Sequence, residues 1–548
     1  MSYETAGVDS EFVTQCFKER GIEPLSVSVR SFPGETIFIC EVVADDFQCA
    51  VSVAAEISDR LDGAFVTVRK GSVSEERALA AKVESLADPR ITDLIELLNS
   101  RSRTSEHQPS LRYVQDVTSR LNVCTARRHN LIFGRRGVGK TALMLEAKSH
   151  VEKRGDATFW VNLQALRQVS ADMAFLHVAS RLSDLPATVF SNYKSLPKSI
   201  ELARDIRSRA EKLLDLDKVK PERVGNLVPA IQAFVGLLNA ESQRALYLFV
   251  DDFHYLRIDE QARFLDLLHG VTRDNNSYIK ASGIKHQSRW FTDNPPVGLQ
   301  TTHDAAIIDL DVTLENPSKA KEFLVDILQT YATEVHLKNT KAAFSGSAAD
   351  RLVIASGGVP RDFLILCATT LQVARERAKA RQAGVQDVNE AAGRVSQVKL
   401  TELEEDAASS GKSHAKIVLQ SLASLRDFLL QRERATYFKV DFADKEQNPR
   451  LYAVLQSLMD LRLVHLISSS LSDERQAGRR YEVYALDLSQ FSGARLRSKL
   501  KALDLIGGKL VLRTTGSNDA PKVGDSSHAL LSILRRGPTM SLEILQAD

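Results

Sequence analysis

At 548 residues the chain is several times the usual domain length, so about three or four domains are expected. Hydrophobic residues at 43%, charged residues at 26%, and only 15 Pro and 27 Gly exclude a disordered, collagenous or membrane-embedded protein. Lys+Arg 72 against Asp+Glu 70 leaves +2, which excludes a global field drawing the chain onto nucleic acid or an acidic membrane; any nucleic-acid contact has to come from a local patch.

The first thirty residues carry Glu4, Asp9, Glu11, Glu19 and Glu23 and no apolar run, so no secretory signal is expected. Five dispersed cysteines without a CxxC pair predict a reducing, cytoplasmic setting, and twelve scattered histidines predict no zinc site. The pattern predicts strands over Leu25 to Phe32 and Thr36 to Val43, a helix from about Asp46 to Leu61, and a strand Ala64 to Val68. A charged helical stretch, Ser74 to Leu98, then leads into the polar run Asn99 to Ser110, read as a linker. Residues 1–100 are thus a small α+β module with its following helix.

From 101 to 315 strands alternate with helices, the signature of a parallel sheet covered on both faces. The strands are Asn130 to Phe133, Ala157 to Asn162, Ala245 to Val250, Ser277 to Ala281 and Ala305 to Leu310. The charged stretch Ser199 to Lys218 and the helix Val228 to Ala240 lengthen the part between the second and third strands. Residues 316–400 are almost wholly helical. Residues 401–500 hold helices Lys412 to Leu430 and Pro449 to Leu461 and strands Leu463 to Ser469 and Tyr481 to Leu486, a winged-helix-like order. Residues 501–548 read as a tail with one short helix, Ser527 to Arg536.

The chemistry sits after the first core strand. Gly134, Arg135, Arg136, Gly137, Val138, Gly139, Lys140, Thr141 and Ala142 join that strand to a helix. Glycines there let backbone N–H groups approach phosphates, and the helix N-terminus adds positive potential. Lys140 is expected on the β and γ phosphates and Thr141 on Mg2+. The apolar strand ending at Val250 runs into Asp251 and Asp252; Asp251 is the second candidate for the metal and Asp252 the residue that polarises an attacking water. Asp in place of a longer Glu predicts slow hydrolysis, and the absence of an Asn-Lys-x-Asp guanine reader favours ATP.

These parts in this order resemble the AAA+ P-loop ATPases, especially the origin-recognition initiator type and the related STAND ATPases. The resemblance spans about Arg112 to Leu488 and rests on Gly134 to Thr141, Asp251-Asp252, the strand Ser277 to Ala281, and Gly357 to Phe363. It implies an α/β P-loop sheet with a helical lid, ATP and Mg2+ as ligands, ATP hydrolysis, and a homo-oligomer. It implies that Arg361, presented by Pro360 at a helix start, senses the γ-phosphate, and that Ser282 occupies the place of the other polar sensor. An arginine finger to a neighbouring subunit would be Arg289 or Arg273, and Leu111 to Val114 would pack the adenine. Initiator-type ATPases carry a DNA-docking winged helix after the lid; here Arg450, Arg475, Arg479 and Arg480 are the candidates for double-stranded DNA, offset by Asp441, Asp444, Glu446 and Asp460. The STAND-type alternative uses ATP to control assembly or partner binding without DNA. A protein partner could also be read by the N-terminal module or the tail.

Overall fold

The computed structural model describes residues 10–32, 35–43, 46–59, 61, 64–70, 83–100, 113–114, 119–167, 169–186, 197–216, 218–311, 314, 316–377, 379–409, 413–474, 476–492, 497–517 and 519–546. They divide into two compact units, one holding the residues up to Glu84 with Ala332–Ala342, the other holding Ser85–Tyr331 and the residues from Ala343 onward.

In the first unit, α1 (Ser10–Glu19) precedes β1 (Ser26–Phe32), β2 (Glu35–Val42), α2 (Phe47–Ser58) and β3 (Ala64–Lys70). β1 pairs antiparallel and β3 parallel with β2. Alternation along the strands sends Phe38, Cys40, Val42 and Val66 to one face, where they meet Val13 and Phe17 of α1 and Ala50, Val53 and Ile57 of α2. The α1 helix was not expected from the sequence, and Pro33-Gly34 lies outside the described residues.

The second unit opens with α3 (Pro89–Ser100), which was grouped with the N-terminal module above but packs within this unit. The core then runs α4 (Arg120–Thr125), β4 (His129–Phe133), α5 (Lys140–Lys153), β5 (Ala157–Asn162), α6 (Ala171–Leu182), α7 (Pro197–Leu214), α8 (Pro221–Gly225), α9 (Val228–Ser242), β6 (Leu246–Asp251), α10 (Gln261–Thr272), β7 (Ser277–Gly283), the hairpin β8 (Phe291–Asp293) and β9 (Pro296–Gly298), and β10 (Ala305–Asp309). Five of these strands form one sheet in the order β10-β4-β7-β6-β5, every neighbour parallel. Because successive residues face opposite sides, Leu246, Leu248 and Val250 pack with α6, α9 and α10, while Tyr247 and Phe249 pack with Leu143, Met144 and Ala147 of α5. A strand buried on both faces has to be apolar throughout, which is why Leu246-Tyr-Leu-Phe-Val250 is an unbroken run.

The lid is α11 (Pro317–Glu334), α12 (Gly346–Ala355), α13 (Pro360–Arg375) and α14 (Val385–Ser409). Ser345 caps α12 by accepting from Ala348 N–H, and Pro360 opens α13 where no amide donor is needed. α3 packs against α13. Next come α15 (Ser413–Arg426), β11 (Tyr437–Asp441), α16 (Phe442–Gln447), α17 (Pro449–Asp460), β12 (Val464–Ser472) and β13 (Arg480–Leu486), with sheet order β11-β13-β12. The module runs helix-strand-helix-helix-strand-strand, and β11 and α16 lie between the two helices expected there, where the sequence predicted neither strand nor helix.

The tail is a correction. Residues 501–548 were expected to hold one short helix, but β14 (Lys501–Ile506), β15 (Lys509–Thr514) and β16 (Lys522–Val523) form a second three-stranded sheet before α18 (Ser527–Arg535). Beyond α18 the chain adds to the free edge of β11: Lys439 N–H donates to Pro538 O and Met540 N–H to Lys439 O, both at 2.8 Å. No helix among the described residues is long and apolar enough to cross a membrane.

Candidate nucleotide site

The strand order decides the site. β7 lies between β4 and β6, so the glycine loop, Ser282 and Asp251 emerge side by side at the carboxyl ends of three adjacent strands. Ser282 was expected just past its strand; it lies inside β7, opposite Ile132 of β4.

Gly137 and Gly139 have φ of +84° and +102°, a region where a side chain is strained, and Gly139 caps α5. Lys140 is buried and donates to Gly134 O at 2.8 Å and Arg135 O at 3.2 Å. Its ammonium is therefore curled over the loop it would share with a phosphate. Burial lowers its pKa, and Asp252, Asp251 and Asp311 oppose that shift. Thr141 Oγ1 donates to Asp251 Oδ2 at 2.9 Å, and Ser282 Oγ donates to Asp251 Oδ1 at 2.5 Å. The Ser282 hydroxyl also accepts from Asp252 N–H at 3.0 Å. Thr141, Asp251, Ser282 and the Asp252 amide thus form one chain of hydrogen bonds.

Asp252 holds φ +59°, a left-handed conformation uncommon for a residue other than glycine. Burial and the neighbouring Asp251 raise its pKa, while Lys140, Arg136 and Arg361 act the other way. Asp251 is raised by burial too, with the Ser282 and Thr141 hydrogen bonds opposing. Asp251 is buried and Asp252 half-buried, and the rise in the Asp252 pKa from burial and from Asp251 is what would let it accept a proton. His254 lies 3.8 Å from Asp252 and is kept neutral by burial and by Lys140, its pKa lowered to about 3. Arg136 stands 5.9 Å over the Tyr255 ring.

The lid reaches the loop through α13. Arg361 N–H donates to Gly137 O at 3.2 Å, and a Cβ on Gly137 would lie 2.8 Å from Arg361 Cβ. Gly134, Gly137, Val138, Gly139, Lys140, Thr141, Ala142, Asp251, Asp252, Ser282 and Arg361 are therefore brought to one place. Of the two loop arginines, Arg136 lies over Tyr255 and Arg135 pairs with Asp311, its Nε 3.1 Å from Oδ1. Sequence reasoning missed Asp311, since only the β10-β4 pairing puts it beside the loop. Of the adenine-side stretch, Leu111 and Arg112 lie outside the described residues, and Tyr113 packs on the cluster containing Val138 and Val359. Arg273 and Arg289 are both exposed.

Three of the four nucleic-acid candidates are among the described residues. Arg450 is exposed at the start of α17 and Arg480 at the start of β13, while Arg475 lies outside the described residues. Arg479 is held by Asp441 at 2.5 Å and lies 5.3 Å over the Tyr481 ring. The far end of α17 is tied to the core, where Asp460 takes His286 Nε2 at 2.8 Å and Gln287 Nε2.

A glycine loop between strand and helix, with an acidic pair one strand removed, defines a P-loop nucleotide-binding domain with a helical lid. Residues 112–279 match the family model of the AAA ATPase domain. Among solved structures, the chain is similar to the Orc1 protein of Aeropyrum pernix in complex with DNA, at 14% identity and TM-score 0.33, covering 75% of this chain and 92% of that one. It is similar also to the RuvB Holliday junction branch migration motor of Thermotoga maritima, at 14% identity and TM-score 0.29, covering 63% and 80%. A STAND protein with a tetratricopeptide repeat sensor from Pyrococcus horikoshii matches at 16% identity and TM-score 0.27, covering 70% of this chain and 42% of its own. No curated protein matches the chain.

Proposed function

We propose that the chain is an ATP-driven molecular switch, slow in hydrolysis, in which ATP binds between the α/β core and the lid. The observation that carries this is the meeting of the two at the loop, Arg361 N–H on Gly137 O beside Thr141, Asp251 and Ser282. Lys140 would hold the β and γ phosphates and Arg361 would report the γ-phosphate, a contact that ADP does not offer and that therefore shifts the population toward a closed lid. Asp252 would take the proton of the attacking water, and its short side chain supports a slow rate. Thr141 and Asp251 offer a hydroxyl and a carboxylate, the oxygen donors Mg2+ prefers, and would hold the ion that neutralises phosphate charge. A homo-oligomer with Arg289 or Arg273 as the finger fits their exposure.

The output divides between DNA and protein. Arg450 and Arg480 support contact with double-stranded DNA through the C-terminal module. The commitment of Arg479 to Asp441 and the tether of Asp460 to His286 support the STAND-type reading, in which ATP controls assembly or a partner and DNA is not bound. The test is ATP binding and hydrolysis by wild type, Lys140→Ala and Asp252→Asn, each with and without double-stranded DNA at low and moderate salt. Lys140→Ala is expected to lose binding and Asp252→Asn to keep binding and lose turnover; equal turnover in Asp252→Asn and wild type would sink the assignment. Stimulation by DNA would select the initiator-like output, and ATP-dependent assembly without DNA affinity the other.

A further inference from the structure

Asp311 belongs to none of the nucleotide-site motifs, yet it is bonded to the phosphate loop at two points. Its Oδ1 accepts from Arg135 N–H at 2.9 Å and from Arg135 Nε at 3.1 Å. The arginine side chain is 4% exposed and the aspartate 32%, so the pair is screened by solvent from the carboxylate side only, less than an ion pair on the open surface. The chain around Asp311 is itself fixed: Leu310 N–H donates to Phe133 O at 2.8 Å, continuing the β10-β4 pairing beyond the strand, and Asp311 N–H donates to Asp309 Oδ1 at 3.0 Å. Gly134 is packed so closely there that a Cβ on it would lie 3.3 Å from Leu310 Cβ. From this point the chain passes to the lid, which starts at Pro317.

We propose that Asp311 is a positioning residue, whose carboxylate holds the phosphate loop in its binding-ready shape through Arg135 and ties it to the connection between core and lid. The inference rests on the nucleotide-binding reading above. A glycine-rich loop has many unbound conformations, and ordering it on each binding event would cost affinity. A loop held by a partly buried ion pair meets that cost in folding instead. The phosphate cradle serves ADP and ATP alike, so loss of the pair weakens both in the same proportion. A contact to the γ-phosphate alone, such as that assigned to Arg361, would change their ratio.

The test compares wild type, Asp311→Asn, Asp311→Glu, Arg135→Gln and the double variant Asp311→Asn/Arg135→Gln. ADP and ATP affinities are measured by calorimetry, and amide hydrogen exchange over residues 134–139 is measured without nucleotide. Asp311→Asn is expected to weaken both nucleotides about tenfold at an unchanged ADP to ATP ratio, the size of one lost charge-assisted hydrogen bond. Loop exchange should quicken, Asp311→Glu should recover most of the affinity, and the double variant should bind little worse than either single one. If Asp311→Asn fails to fold, Arg135→Gln alone carries the same expectations. Wild-type affinity with wild-type loop exchange in these variants overturns the proposal. If wild type itself binds neither nucleotide, the nucleotide-binding reading falls, and loop exchange alone decides the role of Asp311.

Discussion

Gly137 serves the loop and the lid at once. Its φ of +84° suits glycine, its carbonyl accepts from Arg361, and its missing Cβ leaves room for Arg361 and Val359, whose atoms would stand 2.8 Å and 3.1 Å away. Gly137→Ala should strain the backbone by about 1–3 kcal/mol and push α13 off the loop, so ATP affinity should fall at least about tenfold. Calorimetric titration checks this, and wild-type affinity would refute it. Lys280 makes a different point, since it is buried in β7 with no phosphate near. Its ammonium donates to Ala126 O, Arg128 O and Asn130 Oδ1 at 2.7, 2.7 and 2.6 Å, all uncharged acceptors, and burial lowers its pKa to about 8. Lys280→Met would orphan these acceptors and should cost about 2–5 kcal/mol. Between pH 8 and the unfolded value of 10.5 the unfolded chain binds the extra proton, so wild-type stability should rise with pH relative to Lys280→Met. Urea unfolding of both proteins at pH 7.5 and 9.5 measures the difference, and a constant gap would refute it.

At the scale of elements, the lid and the C-terminal module are joined through contacts that local pattern does not foretell. Gly357, φ +57°, lies against β12 so closely that a Cβ would stand 2.1 Å from His465 Nδ1, and the ring is held from its other side by Asp487 at 2.6 Å. Gly357→Ala should therefore destabilise the chain by about 3 kcal/mol, and adding His465→Ala should return part of the loss. Thermal melts of the single and double variants test the pair; independent, additive losses would rule out the clash. Nearby, Arg462 pairs with Asp362, the residue after Arg361, so the loop-contacting end of α13 is held by the module that follows the lid. The last described segment is a structural part as well: Met540, Leu542 and Leu545 are buried, and Ser421 Oγ donates to Leu545 O at 2.7 Å. Ending the chain after Arg536 should remove about 1.5–3 kcal/mol for each of these three side chains. An unchanged melting temperature would show that the segment adds nothing to stability.

For the whole molecule, buried histidines weaken the fold as pH falls, while the raised carboxyls Asp251, Asp252 and Asp504 act the other way. His129 accepts Ile279 N–H at Nδ1, 2.9 Å away, and burial lowers its pKa to about 4. The unfolded chain takes up this proton near 6.5, so the stability it contributes is whole above 6.5 and is lost as pH falls toward 4. His254, lowered to about 3, acts in the same direction. Measured against His129→Gln, where an amide oxygen can still accept from Ile279, the wild-type urea midpoint should drop further between pH 6.5 and 4. Equal falls would remove His129 from the account. The amino-acid sequence by itself determined what rests on short-range pattern: five apolar strand runs, a glycine loop between strand and helix, an acidic strand end, and a helix opened by Pro360. A hairpin signal was also present and passed over, in Lys501-Ala-Leu-Asp-Leu-Ile506 and Lys509-Leu-Val-Leu-Arg513 on either side of Gly507-Gly508. Only the tertiary structure decided that β7 enters between β4 and β6, that Arg135 turns to Asp311, and that Arg479 is taken up by Asp441. Local signals report a residue's own strand or helix within a few positions, whereas these contacts join residues 176 apart, as in Arg135 and Asp311, through sheet pairing that carries no mark in the sequence of either partner.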